Sequence, residues 1–475
     1  MPKAKNILFP FLLIILPVFS SYFYQPTITG SISNIIPIIL LPYFFKNYWI
    51  RPFYFILLPL LLATRTPDSL FYYSYEFIIL ILFLLTIKTS IFKNNFKIPK
   101  IFFVFFYILI YQIIISLLTA TLDEATFSMK IFFNYSLSFI YLITFTNYCL
   151  GNIKYLDSII YAFGFSGPLT GLIAIGYKFQ GIQMLQSSLG EDFDPRFLKY
   201  SENDIFHYAT LLKYTYTNVS LICLLSIFAW LIILRRNQIN NIYQGFISRI
   251  NLRIFYKLMF IFSIIILFLF TSKSTIFSLI IVAILYSFFY ISNNLTTSPL
   301  IIKFKSIKLF LLSLIIGFSS YIGIDLLIKA QAVLGDLSGN RRLSIYTNLF
   351  SYWANDLNGN LSLFFGKGLF LDFKSLDIYL DIVDGENALD SFWLGFTFKA
   401  GLITTLIILY FISKEIKPAL KKMEKELKIL TIFSLIAIGL ANIAIVIGSS
   451  KVLWLLLAYL AYISKSHYLY LKNHE

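Results

Sequence analysis

Apolar runs of about 20 residues recur along almost the whole chain, and a helix of that length spans about 30 Å, the thickness of a bilayer's hydrocarbon core. They start near Ile7, Ser31, Pro52, Leu70, Ile101, Ile131 and Ser158, then near Val219, Phe255, Thr275, Leu309, Asp390, Ile429 and Val452. The expected fold class is therefore an all-α polytopic integral membrane protein of about 14 transmembrane helices. Composition agrees, since 58% of the 475 residues are hydrophobic and only 13% are charged, where soluble domains carry about 25% charged residues. Fifty-one Phe exceed what one water-facing core buries, which excludes the soluble enzyme classes.

Lys and Arg set the orientation, because short loops rich in them stay on the cytoplasmic side. Lys3 and Lys5, Lys46 and Arg51, Lys88 to Lys100, Lys154, Arg235 to Lys257, Lys303 to Lys308, Lys414 to Lys428, and Lys465 with Lys472 all fall on one side of the predicted spans. The net charge of +16 is then topological. It lies where membrane lipids with anionic headgroups attract it, so nucleic acid is not an expected partner. Both termini are expected in the cytoplasm, with the first helix a retained anchor because no small-residue cleavage site follows it.

Cys149 and Cys223 sit in apolar runs and His207, His467 and His474 are scattered, so neither a disulfide framework nor a metal site is expected, and no cofactor. No internal repeat supports an inverted-repeat transporter. The spans divide the chain into N-terminal transmembrane helices (1–177), a first long outer loop (178–207), central transmembrane helices (208–329), a large outer loop (330–389) and C-terminal transmembrane helices (390–475). Two folded outer loops suit an enzyme acting on a lipid-linked head group, which needs a lid and a polar cavity, more than a plain channel.

Several groups in and around the larger loop can carry chemistry. Arg341 and Arg342 open a predicted helical stretch, Leu343 to Trp353, where guanidinium forks and backbone donors can hold a diphosphate; bridging to acids of the same loop is the equal alternative. Glu386 and Asp390 are spaced i and i+4 with Asn387 beside them, which puts two carboxylates and an amide on one helical face. That placement suits a general base, although helix capping explains at least one of the acids. Lys273, in Thr271-Ser272-Lys273-Ser274, is a candidate third phosphate anchor on a surface with few cations. Lys399 lies about 14 Å into its predicted helix, a depth at which charges are normally paired. Glu76, with Asp325 as an alternative, is its expected partner in an intramembrane charge pair that either locks helices or touches substrate.

The succession Thr271-Ser-Lys273-Ser, Ser338-Gly-Asn-Arg341-Arg342, Trp353, Gly366-Lys-Gly368, Glu386-Asn387-Ala-Leu-Asp390 and Lys399-Ala-Gly401-Leu-Ile resembles the O-antigen polymerase and O-antigen ligase superfamily (Wzy and WaaL) over about residues 255 to 415. The resemblance implies a metal-independent, inverting glycosyltransferase in the bacterial plasma (inner) membrane, with its active site on the outer face. Its donor and acceptor are polyprenyl-diphosphate-linked oligosaccharides, and a flippase and a chain-length regulator are implied partners. Lys273 stands where the family usually shows Arg, keeping the charge and losing the bidentate fork. Arg341 or Arg342 matches the loop arginine, and Arg196, Lys199 and Lys213, ahead of Asn218, resemble the family's other basic loop. Ligases of the superfamily carry a His near the end of the long loop, and Ala330 to Leu389 contains none, which points to a polymerase. Asp390 is then the expected activator of the acceptor hydroxyl, with Glu386 second and Asn387 beside them.

The expected function is polymerisation of oligosaccharide repeat units of a surface polysaccharide, be it O-antigen, capsule or exopolysaccharide. A ligase that transfers glycan to a lipid or protein acceptor is one alternative. A flippase or exporter of lipid-linked glycans is another, for which cations should line an intramembrane cavity, as Lys399 would. A polyprenyl-phosphate-sugar transferase with acids in its first outer loop is disfavoured, because Tyr24 to Gly30 holds no Asp or Glu.

Overall fold

The computed structural model describes residues 26–61, 73–93, 100–119, 122–151, 153–180, 216–239, 246–269, 273–295, 349–351, 353–354, 357–368, 392–441 and 450–466, which are helical almost throughout and include no strand. The helices are α1 (Pro26–Lys46), α2 (Ile50–Ile56), α3 (Leu58–Leu61), α4 (Ser74–Lys93), α5 (Lys100–Thr119), α6 (Leu122–Phe145), α7 (Ile153–Gln180), α8 (Tyr216–Ile239), α9 (Phe246–Leu269), α10 (Lys273–Leu295), α11 (Leu357–Phe365), α12 (Phe392–Ala400), α13 (Leu402–Lys422), α14 (Lys425–Ala441) and α15 (Ser450–Ser466). A short π-helical turn, Thr146–Leu150, closes α6. The all-α expectation holds. The spans expected from Ile7 and Leu309 lie outside the described residues.

Two expected spans take a different form. The run from Pro52 is two short helices, α2 and α3, whose Phe53, Tyr54, Phe55 and Ile56 are buried against the rest of the bundle. Its hydrophobicity serves protein contact on all sides, which hydropathy alone cannot tell from lipid contact. The run from Asp390 is broken at Gly401 into α12 and α13. The first long outer loop also starts later than expected, because α7 continues to Gln180.

α8 is central, packing on α7, α9, α10 and α14. Over Val219–Arg236 it is, among the described residues, the one helix long and apolar enough to cross a membrane by length and composition, and 78% of that stretch is buried inside the protein. Its approach to α7 depends on small residues. A Cβ on Gly164 would lie 2.9 Å from Cε2 of Trp230, and one on Gly167 would lie 2.7 Å from Cβ of Ser226. Such stripes let helix backbones come close enough for dispersion and interhelical hydrogen bonds. Here Ser226 Oγ bonds the Gly164 carbonyl and lies 3.1 Å from Ser263 Oγ of α9.

The same core extends to α2, α6 and α15. Tyr141 stacks on Trp454 at 4.7 Å between centroids, donates to the Phe55 carbonyl at 2.8 Å, and Trp454 Nε1 donates to Ser138 Oγ at 2.7 Å. Cations tie helix ends together: Arg236 pairs with Asp157 at 2.6 Å, Arg235 pairs with Glu426, and Arg51 donates to the Phe44 and Phe45 carbonyls and to the Tyr155 hydroxyl.

Large apolar side chains cover the outward faces. On α9, Ile254, Leu258, Ile261, Ile265 and Phe268 are about half exposed and follow helical spacing, and on α5 Tyr107, Ile114 and Leu118 follow it too and are half to mostly exposed. Monomeric soluble proteins rarely present contiguous apolar faces of this kind.

Candidate functional site

The most unusual local structure is the break between α12 and α13. Helix α12 stops because Gly401 adopts φ 86 and ψ 155, a conformation that L side chains rarely reach. Breaking a helix strips carbonyls of their partners, and an unpaired buried carbonyl is costly. Each one is recovered from a different source. Gly401 N donates to Thr397 O at 2.8 Å, Lys367 N to Phe398 O at 3.2 Å, and Gly368 N to Lys399 O at 2.9 Å. The Gln112 amide of α5 donates to Ala400 O at 2.9 Å and reaches Thr404 Oγ1 at 3.4 Å.

The chain that follows α11 therefore docks on the break through its backbone. Gly366 has φ 84 and Gly368 φ 125, conformations that glycine adopts without a Cβ penalty. Contact is backbone on backbone: a Cβ on Gly366 would lie 2.7 Å from Gly401 N, and one on Gly401 would lie 2.7 Å from Gly366 N. Both positions exclude a side chain by conformation and by space.

Polar groups collect around this crossing. Thr404 and Thr405 are buried, Thr405 Oγ1 donates to Gly401 O at 2.9 Å, and Thr397 Oγ1 lies 3.4 Å from Thr405 Oγ1. Lys367 and Lys399 are half-buried there. Lys399 stands in the last turn of α12, where a cation is favoured by the negative end of the helix dipole. Trp353, only 5% exposed, packs its ring 6.3 Å from that of Phe398, and its buried indole Nε1–H has no hydrogen-bond partner among the described residues.

The structure thus brings together two sequence elements 30 or so positions apart, Gly366-Lys367-Gly368 and Lys399-Ala400-Gly401, in one crossing. Lys273 opens α10 as its first residue, so the expected turn residue is already helical. Glu76 is buried in the first turn of α4. Its helix packs on α1 and α6, whereas that of Lys399 packs on α11 and α13. Arg341, Arg342, Glu386, Asn387, Asp390, Arg196, Lys199, Lys213 and Asp325 lie outside the described residues. Sequence reading passed over Gln112. Its signal was present, a single amide in the middle of an apolar run of about 20 residues, where a polar group normally has a buried partner. Among the described residues no group of three or more His, Cys, Asp and Glu side chains is placed to hold a metal.

No family model, curated protein or solved structure matches this chain.

Proposed function

We propose that this chain is a multi-pass membrane glycosyltransferase that polymerises polyprenyl-diphosphate-linked oligosaccharides on the outer face of a bacterial plasma membrane. The observation that carries the reading is the convergence of Gly366-Lys367-Gly368 with Lys399-Ala400-Gly401, two of the short elements on which the resemblance to O-antigen polymerases rests. The exposed apolar faces of α5 and α9 support lipid as the surrounding solvent.

In that reading the chain crosses the membrane about 14 times with both termini inside. From Leu402 to Ser413, ahead of the exposed lysines at the end of α13, the helix covers about 18 Å, and α12 adds about 13 Å, together one hydrocarbon thickness. The break then sits inside the bilayer, toward its outer half, and α11 with its Gly-Lys-Gly tip enters the membrane as a re-entrant element. Broken backbone at that depth is tolerated where protein buries it or where it lines a polar cavity.

Arg341, Arg342 and Lys273 compensate charge on the departing diphosphate, with Arg196 and Lys213 of the first long loop as further contacts. Asp390, helped by Glu386 and Asn387, takes the proton of the acceptor hydroxyl as that oxygen attacks the anomeric carbon and the carbon–phosphate-oxygen bond breaks. Positioning and electrostatics supply most of the rate gain. Replacing Arg341 and Arg342 together by Ala tests this. Loss of polymer with the protein still in the membrane supports the assignment, and loss of the protein itself makes the arginines structural.

A flippase of lipid-linked glycans is the second reading, favoured by the broken helix and by Lys399 within it, since transporters bind substrate at such breaks. It predicts lipid-linked units held on the cytoplasmic leaflet when the gene is deleted.

A further inference from the structure

We propose that the turn between α1 and α2 is a headgroup site for an anionic phospholipid of the cytoplasmic leaflet, with the phosphate on Lys46 and Arg51 and an acyl chain along the exposed face of α1. The proposal rests on the membrane reading and on the orientation expected from Lys and Arg placement, and it is independent of the glycosyltransferase assignment. In that orientation the site faces the leaflet opposite the outer loops.

Arg51 is half-buried and held by neutral groups. Its Nε donates to Phe44 O at 3.0 Å, Nη2 to Phe45 O at 3.3 Å and Nη1 to the Tyr155 hydroxyl at 3.2 Å. The guanidinium carbon lies 5.3 Å from the Tyr155 ring centroid, 5.6 Å from that of Phe44 and 5.9 Å from that of Tyr148. Among the described residues no carboxylate pairs with it, since Asp157 takes Arg236 and Glu426 takes Arg235. The chain before Asp68 contains no Asp or Glu at all. The carbonyl end of α1 amounts to about half an elementary charge, which balances only part of one guanidinium. Arg51 bonds the carbonyls of the two residues just before Lys46, so the exposed Lys46 adds a second positive charge to the same helix end. That excess attracts an anion.

The form of the site selects a lipid phosphate. A guanidinium carries more N–H groups than these bonds use, and its planar fork matches phosphate oxygens. The Nη2 to Phe45 O bond is on the exposed side, so the fork is reachable from outside the protein. Below it, Ile38, Ile39, Tyr43 and Phe45 are about half exposed and lead to Lys46 at helical spacing. From Ile38 to Lys46 the helix covers about 12 Å, against which the upper part of an acyl chain lies. The exposed Tyr43 and Tyr48 stand beside the cations, as aromatic residues do at headgroup level. A soluble anion uses the charge and leaves the apolar face unused.

The test uses the full-length protein in nanodiscs of mixed phosphatidylglycerol and phosphatidylcholine. The probe is phosphatidylglycerol with a diazirine in the upper acyl chain, and its crosslinks are mapped by peptide mass. Residues 38–51 should be labelled several-fold above the exposed faces of α5 and α9, and a phosphatidylcholine probe should show no such enrichment. Lys46→Gln, at an exposed position, should lower the enrichment about fivefold, and Lys46→Arg should keep it. Lys414→Gln, at an exposed lysine of α13, should leave it unchanged. Even labelling of α1, α5 and α9, or equal labelling by the two lipids, overturns the proposal without requiring any variant to fold, as does unchanged enrichment in Lys46→Gln. Inorganic phosphate that removes the enrichment at matched ionic strength makes this a free-phosphate site and also overturns it. Absence of labelling on every helix would sink the membrane reading as well, so the two failures give different results.

Discussion

Gly366 and Gly401 meet backbone to backbone, each in a positive-φ conformation and each occupying the space where the other's Cβ would stand. This one contact joins the tip of α11 to the break between α12 and α13. Replacing either glycine by Ala should destabilise the protein by about 2 kcal/mol or more, from the φ penalty plus displacement of backbone atoms. Gly439→Ala, in α14 with open space at its Cβ, is the control and should be close to neutral. Thermal unfolding in detergent reads both, and equal midpoints for the three variants would contradict the crossing.

Gln112 supplies the amide that Ala400 O receives. Gln112→Leu, nearly isosteric, leaves that buried carbonyl without its donor and should lose about 1–3 kcal/mol. Gln112→Glu should also lose stability, because ionising a buried carboxyl is costly and only its protonated form can donate to Ala400 O. Glu behaving like Gln in thermal unfolding would mean that the amide bond to Ala400 is dispensable.

Trp454 is both stacked on Tyr141 and bonded to Ser138. Trp454→Phe keeps much of the ring area and should lose about 1 kcal/mol, whereas Trp454→Ala should lose about 3–5 kcal/mol by leaving a cavity between α6 and α15. The ratio of the two losses, from chemical unfolding, separates packing from hydrogen bonding.

The Arg236 to Asp157 pair is part-exposed on its acid side. Solvent screening limits it, so Asp157→Asn should lose no more than about 1 kcal/mol, less at high salt. A larger, salt-independent loss would mean that the pair is effectively desolvated.

The outward face of α9 tests the membrane reading directly. Asp at Leu258 or Ile261 should disfavour insertion by about 2.5–3.5 kcal/mol and deplete the protein from the membrane fraction. A folded, membrane-free wild-type protein would contradict the proposed environment.

Much of the helical architecture was legible because its signal is local. The runs starting near Ser31, Leu70, Ile101, Ile131 and Ser158 correspond to α1 and α4 to α7, and those near Val219, Phe255 and Thr275 to α8, α9 and α10, with boundaries shifted by several residues. The break at Gly401 was not legible as a break. A single glycine lowers helix propensity by only about 1 kcal/mol, and what stabilises the interruption comes from Gln112, far away in sequence, and from the Gly366 to Gly368 segment. The run from Pro52 was expected as one helix and is divided into α2 and α3, and its burial was not legible because an apolar run wrapped in protein and one wrapped in lipid have the same composition. The residues assigned to chemistry, Arg341, Arg342, Glu386, Asn387 and Asp390, were chosen by residue type and by resemblance, and they lie outside the described residues. The element of the candidate site that geometry adds is the crossing, with Lys367 and Lys399 on it.

The central claim is that the chain extends a lipid-linked glycan on the outer face of the membrane. The most direct measurement is to delete the gene and resolve surface and lipid-linked glycans by size, then restore it as wild type and as Arg341→Ala with Arg342→Ala. The account predicts single repeat units in place of a ladder, corrected by wild type and not by the double variant. An undiminished ladder in the deletion strain, or repeat units retained only on the cytoplasmic leaflet, would contradict it.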